Sequence, residues 1–130
     1  MDELQKSELV ISKIVTLVSG WGIQSTRLEF EELELEDSFA PFFIPCVEWL
    51  EAEGVLRTKN ILEYSNGGCV VRPVLTSYGM RILGTEISLD GEKTKLATAA
   101  AKVSSGEKSY SQFGDFVGGI LGGFTKSIGS

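Results

Sequence analysis

The chain has 130 residues, 42% of them hydrophobic and 23% charged, which is the size and composition of one globular domain with room for a short appendage. Its formal charge of −6 is uneven: residues 1–60 hold 5 Lys/Arg against 12 Asp/Glu, and residues 61–130 hold 7 against 6. An acidic N-terminal half opposes binding to phosphate backbones, and the complete lack of histidine removes the commonest general base and transition-metal ligand.

The first predicted element is a helix over residues 3–19, with Leu9, Val10, Ile14, Leu17 and Val18 on one face. Gly20 and Gly22, on either side of Trp21, end it. Residues 27–36, RLEFEELELE, fit either a short strand or a helix. Leu28 and Phe30 alternate, Leu33 and Leu35 alternate, but the register slips by one between the pairs. Ser38 to Phe43 is expected to form a separate turn or short helix. Pro45 suits the first turn of a following helix that runs to about Glu53, with Gly54 as its stop. Along it, Phe39, Phe43, Val47 and Leu50 follow core spacing, and Trp49 points elsewhere.

Val55–Tyr64 and Cys69–Leu75 then flank Ser65-Asn66-Gly67-Gly68, a strong hairpin signal because Asn and Gly accept positive φ. Pro73 within the second strand predicts a place at a sheet edge. Thr76 is the predicted cap of a helix over TSYGMRILG, with Tyr78, Ile82 and Leu83 facing inward.

Helix, acidic segment, helix, hairpin and short helix in that order give an α+β class. The pairing of Leu50, Gly54, Val55 and Leu56 before the hairpin with Leu75, Thr76, Gly79 and Leu83 after it resembles the winged-helix domain of MarR-type and PadR-type regulators. The resemblance covers roughly residues 3–84 and implies a winged helix-turn-helix-like domain over residues 1–86, followed by a helical extension over 87–130. It also implies that the helix before the hairpin, within Ser38–Glu53, stands where a DNA-reading helix would. That stretch holds no Lys or Arg and carries Asp37 just before it, then Glu48, Glu51 and Glu53. Base readout needs hydrogen-bonding side chains, and phosphate positioning needs cations. Phe42, Ile44, Trp49, Glu48 and Glu51 are therefore expected to meet a protein partner. The alternative is a DNA-binding regulator that touches phosphates through the wing residues Arg57, Lys59 and Arg72.

From Ser88 the composition turns to small and charged residues, with high helix propensity over 94–103 from Ala97, Ala99, Ala100 and Ala101. In the last stretch Tyr110, Phe113, Val117, Ile120 and Phe124 follow helical seam spacing, and Gly114, Gly118 and Gly122 recur every four residues. Five glycines oppose a lone helix, so close packing has to compensate. A glycine zipper through Phe113, Gly114, Val117, Gly118, Ile120, Gly122 and Phe124 is expected to drive homo-oligomerisation or docking on the domain. Membrane attachment through Phe113, Phe116, Leu121 and Phe124 ranks behind it, because only Lys108 and Lys126 supply cations there.

No catalytic signature emerges. There is no Gly-x-Ser-x-Gly elbow, and Gly118-Gly119-Ile120-Leu121-Gly122-Gly123 lacks the Lys-Ser/Thr of a phosphate loop. Glu31/Glu32 and Glu34/Glu36 sit in a charged run with no apolar enclosure to shift them. A non-enzymatic protein with no cofactor and no metal is expected. Cys46 and Cys69 lack C-x-x-C spacing and lie in apolar sequence, which predicts two buried thiols and leaves a disulfide open. The acidic start, MDELQKSE, does not resemble a secretory leader, and no apolar run approaches 18 residues, so the cytoplasm is the expected compartment.

Overall fold

The computed structural model describes residues 2–64, 67–89 and 92–105. Helix α1 spans Glu3–Trp21. Asp2 caps it: its Oδ1 accepts the Gln5 N–H at 2.8 Å, and Gln5 Oε1 accepts the Asp2 N–H at 3.0 Å. Gly22, at φ 69°, ends it in a conformation that suits glycine. Strand β1, Arg27–Glu29, passes directly into a 3-10 turn over Phe30–Leu33. The register slip in the sequence marks this change. Leu28 and Phe30 are inward two residues apart, and Phe30 and Leu33 are inward three apart.

A second 3-10 turn over Asp37–Phe42 leads into α2, Phe43–Ala52. Pro45 falls in the first turn of α2, where the missing N–H would have no intrahelical acceptor anyway. Strands β2 (Leu56–Arg57), β3 (Asn60–Leu62), β4 (Cys69–Val71) and β5 (Val74–Leu75) follow. They form one interrupted hairpin. Leu56 pairs with Leu75 and Arg57 with Val74 on one side of the break; Asn60 pairs with Val71 and Leu62 with Cys69 on the other, in the same register. Strand β1 adds to the far side of β4, giving an antiparallel sheet of order β1-β4-β3.

The edge position predicted from Pro73 is corrected here. Strand β4 is central, and Pro73 sits in the break between β4 and β5, outside both ladders, so no ladder hydrogen bond is lost.

Helix α3, Ser77–Leu83, is capped by Thr76, whose Oγ1 accepts the Gly79 N–H at 2.9 Å. A hairpin of β6 (Glu86–Leu89) and β7 (Glu92–Lys95) then leads into α4, Leu96–Ser104.

One continuous core joins these elements. Val10, Ile14 and Val18 of α1 meet Phe43, Val47 and Leu50 of α2, Leu28 of β1, Val70 of β4 and Ile82 of α3. As the spacing predicts, Phe39, Phe43, Val47 and Leu50 are all buried. Leu96, Ala99 and Ala100 of α4 belong to the same core. Helix α4 lies against α1, and Val15, Thr16 and Ser19 of α1 border a cleft of about 200 Å³ with Ala97, Ala100 and Ala101 of α4. The zipper residues Phe113, Gly114, Val117, Gly118, Ile120, Gly122 and Phe124 lie outside the described residues. No helix among the described residues is long and apolar enough to cross a membrane.

Candidate functional site: the outward face of α2 and the hairpin depression

Helix α2 is inward on Phe43, Ile44, Cys46, Val47 and Leu50 and outward on Pro45, Glu48, Trp49 and Ala52. Trp49 keeps 38% of its surface exposed, and the Glu48 carboxylate stands beside it on the helix. Phe42, just ahead of α2, is half-buried. The Lys6 ammonium of α1 sits 5.9 Å from its ring centroid and 5.9 Å from that of Phe39, which ties the helix start to α1.

Two of the residues expected to meet a partner are placed differently. Ile44 is only 2% exposed, so it is a core residue and not a surface one. It lies under the hairpin, where a β-carbon on Gly68 would come within 3.0 Å of its side chain. The turn into α2 rotates Ile44 inward beside Phe43, while Pro45 faces out. Glu51 is partly buried, and its Oε2 accepts the Thr58 hydroxyl at 3.1 Å. That bond ties α2 to the hairpin, which gives Glu51 a structural duty. Pro45 and Ala52 complete the outward stripe with Phe42, Glu48 and Trp49, a pattern carried by helical spacing once the helix start is known.

The hairpin cations converge. Arg57, Lys59 and Arg72, together with Ile23, Gln24, Ser25, Thr58 and Val74, line a shallow open depression of about 510 Å³. Two main-chain bonds fix its shape: the Lys59 N–H to Val71 O at 2.9 Å and the Arg72 N–H to Thr26 O at 2.8 Å. Gln24 folds back on the end of α1, its Nε2 donating to Trp21 O at 2.6 Å. Sequence reasoning missed Gln24 and Ser25, because nothing local announces that β1 pairs with β4 and carries the preceding turn to the hairpin.

Both cysteines are buried free thiols. Arg27 Nε and Nη2 lie 3.3 Å and 3.2 Å from Cys69 Sγ and donate to it across the β1–β4 pair. Cys46 donates its S–H to Ser7 O at 3.6 Å. Burial pushes the Cys46 thiol up to about 11, against a lesser downward pull from the Ser7 side chain. A raised thiol pKa makes the folded state hold its proton longer than the unfolded chain does. The stabilisation is complete below the ordinary thiol pKa of 9.0 and is lost as pH rises through about 11. Urea midpoints at pH 8 and at pH 10.5 are expected to differ more for the parent than for Cys46→Ala; equal drops would contradict the assigned burial.

Among the described residues, no group of His, Cys, Asp or Glu is placed to hold a metal ion. The sequence matches no known protein family, and comparison with curated proteins and with solved structures finds no match to either.

Proposed function

We propose that this is a non-enzymatic, winged-helix-type interaction module, of adaptor or inhibitor kind, that docks a protein partner on the outward face of α2. Several features support the winged-helix reading. Helix, strand, helix and hairpin follow in that order, the first strand lies beside the far strand of the hairpin, and α2 immediately precedes the hairpin. The observation that carries the partner reading is the outward stripe itself. Phe42, Pro45, Glu48, Trp49 and Ala52 offer an aromatic anchor and carboxylate, with no cation for a phosphate. Such a face complements a partner that presents an apolar pocket rimmed by Lys or Arg. The two free thiols suit a reducing cytoplasm. Self-association through Phe113–Phe124 is a second part of the reading, supported by the seam and glycine spacing, and sedimentation with and without the residues beyond Lys108 tests it.

Trp49→Ala is expected to weaken partner binding about thirtyfold or more, as for an interface hot spot. Its thermal stability should stay close to the parent's, because the ring is partly exposed. Glu48→Arg should do the same through charge. Affinity capture with the parent, compared with both variants, checks this; a partner retained equally by all three would exclude α2 as the docking face.

Duplex binding is the alternative, and the convergence of Arg57, Lys59 and Arg72 speaks for it. Against it, a duplex seated on the wing would bring phosphates towards Glu48, Glu51 and Glu53 of α2, where like charge repels them.

A further inference from the structure

The hairpin depression contains features that folding alone does not explain. Lys59 and Arg72 both fall in the break of the interrupted hairpin, with Arg57 at the end of β2 beside it. Like charges gathered in one place oppose folding. Among the described residues, no carboxylate lies within 4.0 Å of any of the three cations. Arg72 also adopts φ 51°, the left-handed region that L-residues avoid, immediately before Pro73, which restricts it further. Glycine would take that conformation without strain. The Arg72 side chain is exposed, so core packing does not select arginine there. Strain and concentrated charge at an exposed concavity point to a ligand.

We propose that this depression binds a small ligand with two adjacent phosphoryl groups, of the nucleoside diphosphate class, through Arg57, Lys59 and Arg72. The two guanidinium groups match phosphoryl oxygens in forked pairs, and the Lys59 ammonium adds a point charge. Gln24 and Ser25 supply further hydrogen-bonding groups, while Ile23 and Val74 form an apolar wall beside them. Ile23 is 73% exposed, which leaves it free to cover a ring. The main-chain bonds of Lys59 and Arg72 hold the site in place before the ligand arrives, which limits the ordering cost of binding. A long polyanion fits less well, because it reaches the acidic face of α2, while a small one stays within the field of the three cations.

Titration calorimetry of the full chain at low salt, with inorganic pyrophosphate, ADP and a short random duplex, tests the proposal. Pyrophosphate should bind, and ADP at least as tightly. Arg57→Ala and Arg72→Gly should each weaken both roughly tenfold, the effect of losing one charge-assisted contact. Arg72→Gly should unfold at a temperature no lower than the parent's, since it relieves the left-handed strain, so its loss of affinity is not a loss of fold. Glu48→Gln, on α2, should bind like the parent, which separates this site from the partner face. The proposal is overturned if neither small ligand gives heat at millimolar concentration, if Arg72→Gly binds as well as the parent, or if the duplex binds and pyrophosphate does not displace it.

Discussion

Gly79→Ala is expected to cost about 2–3 kcal/mol of stability, although helix propensity alone would favour alanine there by about 1 kcal/mol. The reason is the close approach of α3 to the turn before β2. A β-carbon at Gly79 would overlap the Val55 carbonyl oxygen and lie 3.1 Å from its carbon. That oxygen cannot easily give way, because it accepts the Thr76 N–H at 3.0 Å. The Thr76 hydroxyl, in turn, bonds Gly54 O and accepts the Gly79 N–H. Cap, glycine and turn form one unit, so relaxing the overlap means breaking the cap. Urea unfolding of the parent and Gly79→Ala gives the sign directly. An alanine variant more stable than the parent would refute the assigned contact.

Phe43→Ala is expected to be the most damaging single truncation, at about 4 kcal/mol, because a fully buried ring leaves a cavity that the core only partly refills. Phe43 meets Phe30 edge-on, with ring centroids 6.0 Å apart at 61°, which adds to the burial. Through that pair α2 is tied to the 3-10 turn after β1. Against a typical total of about 5–15 kcal/mol, such a loss leaves little margin. Phe43→Leu should keep most of the stability. The double variant Phe30→Ala/Phe43→Ala should cost less than the two single losses together, since the pair can be lost only once. Additive losses would show that the rings do not support each other.

Much of the fold is legible where one strong local signal exists. The apolar face of α1, the terminating glycines, the Thr76 cap and the Val55–Leu75 hairpin all follow from residues within a few positions of each other. Residues 27–36 are ambiguous because a strand gives way to a 3-10 turn inside the acidic run, and no single period describes both. The β6–β7 hairpin is harder to read: Asp90-Gly91 between Glu86–Leu89 and Glu92–Lys95 is a hairpin signal, but the high charge and small residues around it point to a helical extension. Pro73 misled in a different way, because proline tolerates a break between strands as well as an edge. At the site, Trp49 and Glu48 were legible from helical spacing, but the inward turn of Ile44 depends on where α2 begins. Arg57, Lys59 and Arg72 were legible as cations. Their meeting with Gln24 and Ser25 was not, because it requires the long-range pairing of β1 with β4.

The cover that α4 lays over α1 also dictates an order of events during synthesis. The first helix leaves the ribosome with the stripe around Val15 and Ser19 bare, and its covering residues Leu96, Ala97 and Ala100 are translated far later. At ordinary elongation rates that interval is on the order of ten seconds. The nascent protein thus leaves this stripe of α1 bare until α4 emerges, and a chaperone that holds new chains would meet it there.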